Sequence, residues 1–235
     1  KTKAEAEHTP HHPHRAAANK TKTPTKPDDK KSESKKAEIV KNIALIYVSQ
    51  GNDEKALEAM KDARAESPDD INLLLSEANV HFKMGNNDKF KELLEEATKM
   101  DPNNPELQYN LGVVSAESGD TEAAKGYYKK AIELDSNFIN AYINMAALIL
   151  GEEGPLIEEM NGLGTSSADD KRYEELKEKR QQLYKDAIPY LSKALEINDK
   201  NVSAASTLMN IYSVLGETDK YKEMKARVEA MKGGE

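Results

Sequence analysis

Residues 104–137, NPELQYNLGVVSAESGDTEAAKGYYKKAIELDSN, decide the fold. Leu107, Leu111 and Val114 recur at helical spacing in the first half of this stretch. Ala124, Tyr127, Tyr128, Ala131, Ile132 and Leu134 do the same in the second. Gly119-Asp120 separates the halves, so the stretch reads as two short amphipathic helices joined by a tight turn. Neither helix can bury its apolar stripe alone, and each needs neighbours.

The rest of the chain supplies near-copies. Residues 37–70 place Ala44, Gly51, Ala56 and Ala63 at the same spacing, and Pro68 stops the second helix. Residues 71–104 carry Ala78, Gly85, Ala97 and Pro102 at matching offsets. Residues 105–138 complete a third unit, and all three are 34 residues long. An equal period without insertion over three units marks a repeat architecture. A large side chain at Gly112 or Ala124, where the two helices cross, or at Ala131, where the next unit packs, would force the helices apart.

Leu111-Gly112, Gly119-Asp120, Ala124, Tyr128 and Ala131 resemble the tetratricopeptide repeat (TPR). The resemblance implies an all-α, right-handed superhelical solenoid of about five helix-turn-helix repeats over residues 37–235. The segments KAEIVKNIALIYVSQGN, GTSSADDKRYEELKEKR and TLMNIYSVLGETDKYKEMKAR are similar to those of a group of bacterial TPR proteins of undefined biochemical role, from Ser32 to Lys232. Such proteins usually carry a signal peptide and a further repeat region upstream. That likeness implies the periplasm or envelope, and the residues themselves leave the cytoplasm open.

Composition narrows the function. The chain is 37% hydrophobic and 32% charged, low for a compact core but normal for stacked repeats with two wet surfaces. Without cysteine there are no disulfides, thiol nucleophiles or Cys-based metal sites. No apolar run is long enough to cross a membrane. A net charge of −8 argues against a nucleic-acid scaffold. There is no HExxH, no phosphate-cradling Gly loop and no nucleophile beside a clustered His, so the expectation is a non-enzyme without cofactors. A start at Lys1, without Met or an apolar leader, reads as a fragment or processed piece.

Residues 1–36 are a different material. They carry a formal +5, leaving −13 on the remainder of the −8 chain. With almost no large apolar residue they cannot offset their ordering entropy, and they read as a disordered basic tail. A tail of this sign can touch the acidic body or an anionic surface in a loose, salt-sensitive way. Clustered imidazoles at His8, His11, His12 and His14 can capture Zn, Ni or Cu. No fixed geometry holds them, so the preferred reading is a solvated linker and no metal site.

Two departures mark the second repeat. Glu77 replaces Ile43, Leu111 and Met145, and Phe90 replaces Ala56 and Ala124. They predict either local repacking or a widened seam that accepts a ligand side chain. His81 stands where Tyr47 and Tyr212 do and reads as a packing residue with one hydrogen bond.

The fourth repeat spans residues 139–201, 29 residues beyond the 34-residue period. The excess forms an arm at about 155–183: a short helix with Pro155 in its first turn, a Gly/Ser loop, then a helix capped near Ser167 and running from Asp169 to Ile197. Pro189 predicts a kink within it. Tyr173, Leu176, Leu183 and Tyr184 make a sparse apolar edge that Leu156, Ile157, Met160 and Leu163 can cover. The arm is read either as an autonomous hairpin or as a partner or self-association surface. Residues 202–235, with Met209 and Tyr221 in place of small residues and a Lys-rich last helix, read as a cap.

The TPR resemblance also implies that first helices line a concave groove. Here the lining comprises Lys41, Asn42 and Leu45, then Leu75, Asn79 and Phe82, then Tyr109, Asn110 and Val113, then Ile143 and Asn144. Asn42, Asn110 and Asn144 recur at one place in the repeat. They either hydrogen-bond an extended peptide backbone or bond within the repeat. A carboxylate clamp of the kind some TPR chaperone adaptors use is not expected: Lys41 fits it, but Leu45, Ser76 and Glu106 replace its other residues. The expected function is a protein-binding scaffold for an extended peptide or partner protein. Self-assembly through the arm or an open solenoid end is the alternative.

Overall fold

A computed structural model describes residues 27–233, and among them the chain forms eleven helices and no strand. In order they are α1 (Pro27–Ser49), α2 (Asp53–Glu66), α3 (Ile71–Lys83), α4 (Asn87–Met100), α5 (Pro105–Glu117), α6 (Thr121–Leu134), α7 (Ile139–Gly151), α8 (Glu153–Gly162), α9 (Ser167–Ile197), α10 (Val202–Val214) and α11 (Thr218–Lys232). The expected pairs form: α1–α2, α3–α4, α5–α6, α7–α9 and α10–α11, each packed on the next.

Local sequence sets the ends of these helices. Asn52, Asp70, Asn104, Asp120 and Asn201 accept hydrogen bonds from backbone N–H groups in the first turns that follow them. The turn between the two helices of a unit needs a left-handed residue, and Gly51, Gly85, Gly119 and Gly216 supply it at φ of 69°, 76°, 81° and 73°. In register with them stands Glu153 of the fourth unit. The chain does not turn there; it starts α8 instead.

The core runs along the stack in three clusters. Each crosses at least one junction between successive units. Leu107, Leu111 and Val114 of α5 pack with Phe90, Leu93, Leu94 and Ala97 of α4. Val80 packs with Ala44, Ala56 and Met60 of the first unit. Gly112 shows why small residues recur: a Cβ there would lie 2.5 Å from two ring atoms of Tyr128. The crowding partner is therefore the Tyr128 ring, with Ala124 buried close by.

Two expectations change. Helix α1 begins at Pro27, ten residues ahead of the expected tail boundary, because Asp28 and Asp29 favour a helix start and the Lys, Glu and Ala that follow favour its interior. Residues 1–26, with the histidine tract, lie outside the described residues. The cap of α9 is Ser166, one residue before Ser167, and it forms a full capping box with Asp169. As expected, the helix holds Pro189 in its interior and ends at Ile197.

Candidate functional site

None of the eleven expected groove residues is buried. They fall on α1, α3, α5 and α7, the first helices of four successive units. Asn42, Asn79 and Phe82 are exposed, Phe82 at 45%; the other eight are half-buried. The Phe82 ring packs on Phe90 at 5.0 Å, so it is held in place while offering an open face. Tyr109 is fixed between Phe138 (5.2 Å) and Tyr128 (5.8 Å).

Two of these polar groups are already engaged. Lys41 Nζ meets Asp70 Oδ2 at 2.6 Å, and Asp70 also caps α3. The Lys41 bond, with backbone bonds from Leu73 and Asn72, holds the Asp70 carboxyl below its usual range against the opposing effect of burial. Asn144 Nδ2 donates to the Tyr109 hydroxyl at 3.2 Å and to the Tyr128 hydroxyl at 3.3 Å. This amide ties the third and fourth units together.

The two departures of the second repeat are resolved within the chain. Arg64 of α2 bridges Glu77 at 2.9 Å and Glu96 at 2.5 Å, so Glu77 is a paired group at the junction of the first two units. Phe90 is buried against Phe82 and fills the seam. His81 is half-buried, 3.4 Å from Asn86 Nδ2.

The arm is an α8–α9 hairpin. Leu176 is fully buried and Met160 nearly so, one on each of the two helices that pack together as the hairpin. Leu156 and Ile157 are half-buried, and Tyr173 is 44% exposed. At its root, Arg180 donates to Glu153 at 2.6 and 3.2 Å, and the Tyr184 hydroxyl donates to the same carboxylate. Burial pushes the Glu153 carboxyl up, but the bonds from Tyr184 and Arg180 outweigh it and leave the group below its ordinary range. A depressed carboxyl contributes stability above its unfolded value, and that stability is lost as pH falls through the folded value. The arm should therefore loosen only from about pH 4.3 downward. Glu153→Gln should weaken its attachment by about 1.5–3 kcal/mol at pH 7, with amide exchange of α8 as the measurement.

Sequence reasoning missed the clefts on the second-helix side. One of about 410 Å³ lies between α6, α7 and α9, with Met145, Ile149, Leu183 and Tyr190 as apolar lining and Lys125 and Lys129 facing Glu122, Glu152 and Asp186 as charges. A second, of about 280 Å³, adjoins it at Glu152 and Leu183 and includes Leu156 and Lys179. A third, of about 390 Å³, lies between α9, α10 and α11. None of the eleven expected groove residues lines these three. Gly126 was the available signal: it sits inside α6 although nothing lies within 4 Å of where its Cβ would be. A helix-interior glycine costs about 1 kcal/mol relative to alanine, and packing does not require this one.

Two tetratricopeptide-repeat family models match residues 35–113 and 105–138. No curated protein sequence matches the chain. Solved structures share the fold. A crystal structure of MamA protein superposes with a TM-score of 0.62 at 16% identity, covering 84% of this chain and 92% of that one. MamA residues 41-end from Desulfovibrio magneticus RS-1 gives 0.57 at 16% identity, covering 84% and 94%. YrrB, described as a TPR protein with an unusual peptide-binding site, gives 0.56 at 19% identity, covering 88% and 92%.

Proposed function

We propose that this chain, a tetratricopeptide-repeat protein, is a non-catalytic scaffold that holds an extended segment of a partner protein along the faces of its first helices. The observation that carries this reading is the row of unburied apolar and amide side chains on four successive first helices, with Phe82 and Tyr109 held by neighbouring rings. Phe82, Leu75, Tyr109, Val113 and Ile143 offer apolar anchors. Asn42, Asn79 and Asn110 offer amides that can both donate to and accept from a backbone. Such a surface recognises an extended peptide with apolar side chains at intervals. YrrB, a structural neighbour described by its peptide-binding site, supports the class of function.

A second reading attaches the partner to the root of the arm, where two adjoining clefts share Glu152 and Leu183. One experiment separates the two. Partners captured on the intact protein are cross-linked and mapped, then compared with Leu75→Glu/Phe82→Glu and Leu156→Glu/Tyr173→Glu variants whose melting is checked first. Cross-links along α3 and α5, lost at least about tenfold in the first variant and kept in the second, are expected. The reverse pattern assigns the function to the arm. Recovery of this chain alone supports self-assembly.

A further inference from the structure

The 34-residue register identifies what each first helix gives to the unit before it. The contributing residues are the third, seventh and tenth of each unit. In the second unit these are Leu73, Glu77 and Val80; in the third, Leu107, Leu111 and Val114; in the fourth, Ala141, Met145 and Leu148; in the fifth, Ala204, Leu208 and Ile211. All but Glu77 and Leu148 are buried, at 4% exposure or less. Their cover comes chiefly from the preceding second helix, through α2 on α3, α4 on α5, α6 on α7 and α9 on α10.

In the first unit the same three places are Ile39, Ile43 and Ile46, all on α1, and they stand 59%, 43% and 52% exposed. They are among the few large apolar side chains on the described surface, and they form one stripe at helical spacing.

The covering helices also share a pattern. Each of the first four units places a buried residue, a large buried residue four later and alanine three after that: Ala56-Met60-Ala63, Phe90-Leu94-Ala97, Ala124-Tyr128-Ala131 and Ala187-Leu191-Ala194. At the far end of the stack the large residue is Lys225, with its side chain 52% exposed. Among the described residues, the last second helix thus presents a charge at this place, and α1 presents uncovered isoleucines. A head-to-tail stack of copies would set Lys225 against the three isoleucines. A two-fold pairing through three half-exposed side chains falls well short of the about 800 Å² per partner that a stable interface buries.

We infer that the Ile39–Ile43–Ile46 face of α1, uncovered among the described residues, is a repeat junction that docks the second helix of another tetratricopeptide unit, recognised by its apolar-x3-large-x2-Ala pattern. The exception at Glu77 sharpens the test. There a carboxylate occupies the central place of the junction, and Arg64, on the covering helix, pairs with it. The junction therefore accepts Glu when the incoming helix brings Arg.

The probes are two helix-stapled peptides, residues 87–100 (Phe90, Leu94, Ala97, Thr98) and residues 53–66 (Ala56, Met60, Ala63, Arg64), added to the full chain. The readouts are amide exchange of residues 39–46 and mass by light scattering. The 87–100 peptide should slow exchange across these residues, and a Leu94→Lys version should not. Ile43→Glu, a substitution the second unit already carries at the equivalent place, should weaken the 87–100 peptide by at least about tenfold, as expected for an unpaired carboxylate under a docked helix. The 53–66 peptide should retain binding to that variant through Arg64. Failure of both peptides to protect α1 overturns the inference. So does equal binding of the Leu94→Lys peptide. A free chain that is already a dimer, and dissociates on Ile43→Glu, assigns the face to a second copy instead.

Discussion

Replacing Tyr128 with alanine should cost about 3–5 kcal/mol of stability. The ring is 2% exposed, contacts Tyr109, and its hydroxyl accepts from Asn144 at 3.3 Å. Truncation removes the ring from the largest core cluster and breaks one of the two bonds through which Asn144 joins the third and fourth units. Gly112 faces the same space, so no side chain stands ready to fill the hole. Gly112→Ala is informative beside it. In an ordinary helix interior this change gains about 1 kcal/mol. Here the new methyl would sit 2.5 Å from two ring atoms of Tyr128, and the ring is held by its neighbours. A net loss of about 1–3 kcal/mol is expected. In the Tyr128→Ala background the clash is gone, and Gly112→Ala should turn stabilising. Urea unfolding of the four proteins measures this reversal of sign. An unchanged sign would show that the ring yields and that Gly112 is not what spaces α5 from α6.

Leu176→Ala should cost about 2–5 kcal/mol, but locally. Leu176 is fully exposed to neither solvent nor the main stack: it is buried, yet it belongs to none of the three core clusters that run through the repeats. It lies on the inserted part of α9, the helix against which α8 packs. Stability in a repeat array is close to a sum of nearest-neighbour terms, so the loss should not spread far. Amide exchange should accelerate across α8 and residues 167–180 while α3 to α6 keep their protection. If the whole stack loosens together, the arm is an integral part of the solenoid. If only the hairpin opens, the groove and the arm can be tested independently, and a partner that survives Leu176→Ala does not depend on an intact hairpin.

The electrostatics follow the same division. Glu153, Arg180 and Tyr184 anchor the arm at the place where the other units have a turn glycine. That exchange of Gly for Glu is one residue wide. At that place the chain starts α8 instead of reversing, and a part-buried ion pair holds the added helices to the stack.

Repeat number, period, helix pairing and the position of the insertion were legible in the residues themselves. Each is a local property: Gly at the turn, Asp or Asn at the cap, small residues at crossings, and a 34-residue spacing that any one unit restates. That the expected groove residues lie on first helices was legible to the same degree, since their place in the unit determines it. Their engagement was not. Only the tertiary structure pairs Lys41 with Asp70 and Asn144 with two tyrosines, because those partners lie on other helices at distances that no spacing rule encodes. The same holds for the clefts around Leu183. Their walls come from α6, α7, α8 and α9, and they exist only where the inserted helices settle against the stack. The isoleucines of α1 combine both sources. Sequence determines that they occupy a junction position, and tertiary structure decides that, among the described residues, no helix covers them, because burial depends on what lies opposite a side chain and not on the side chain itself.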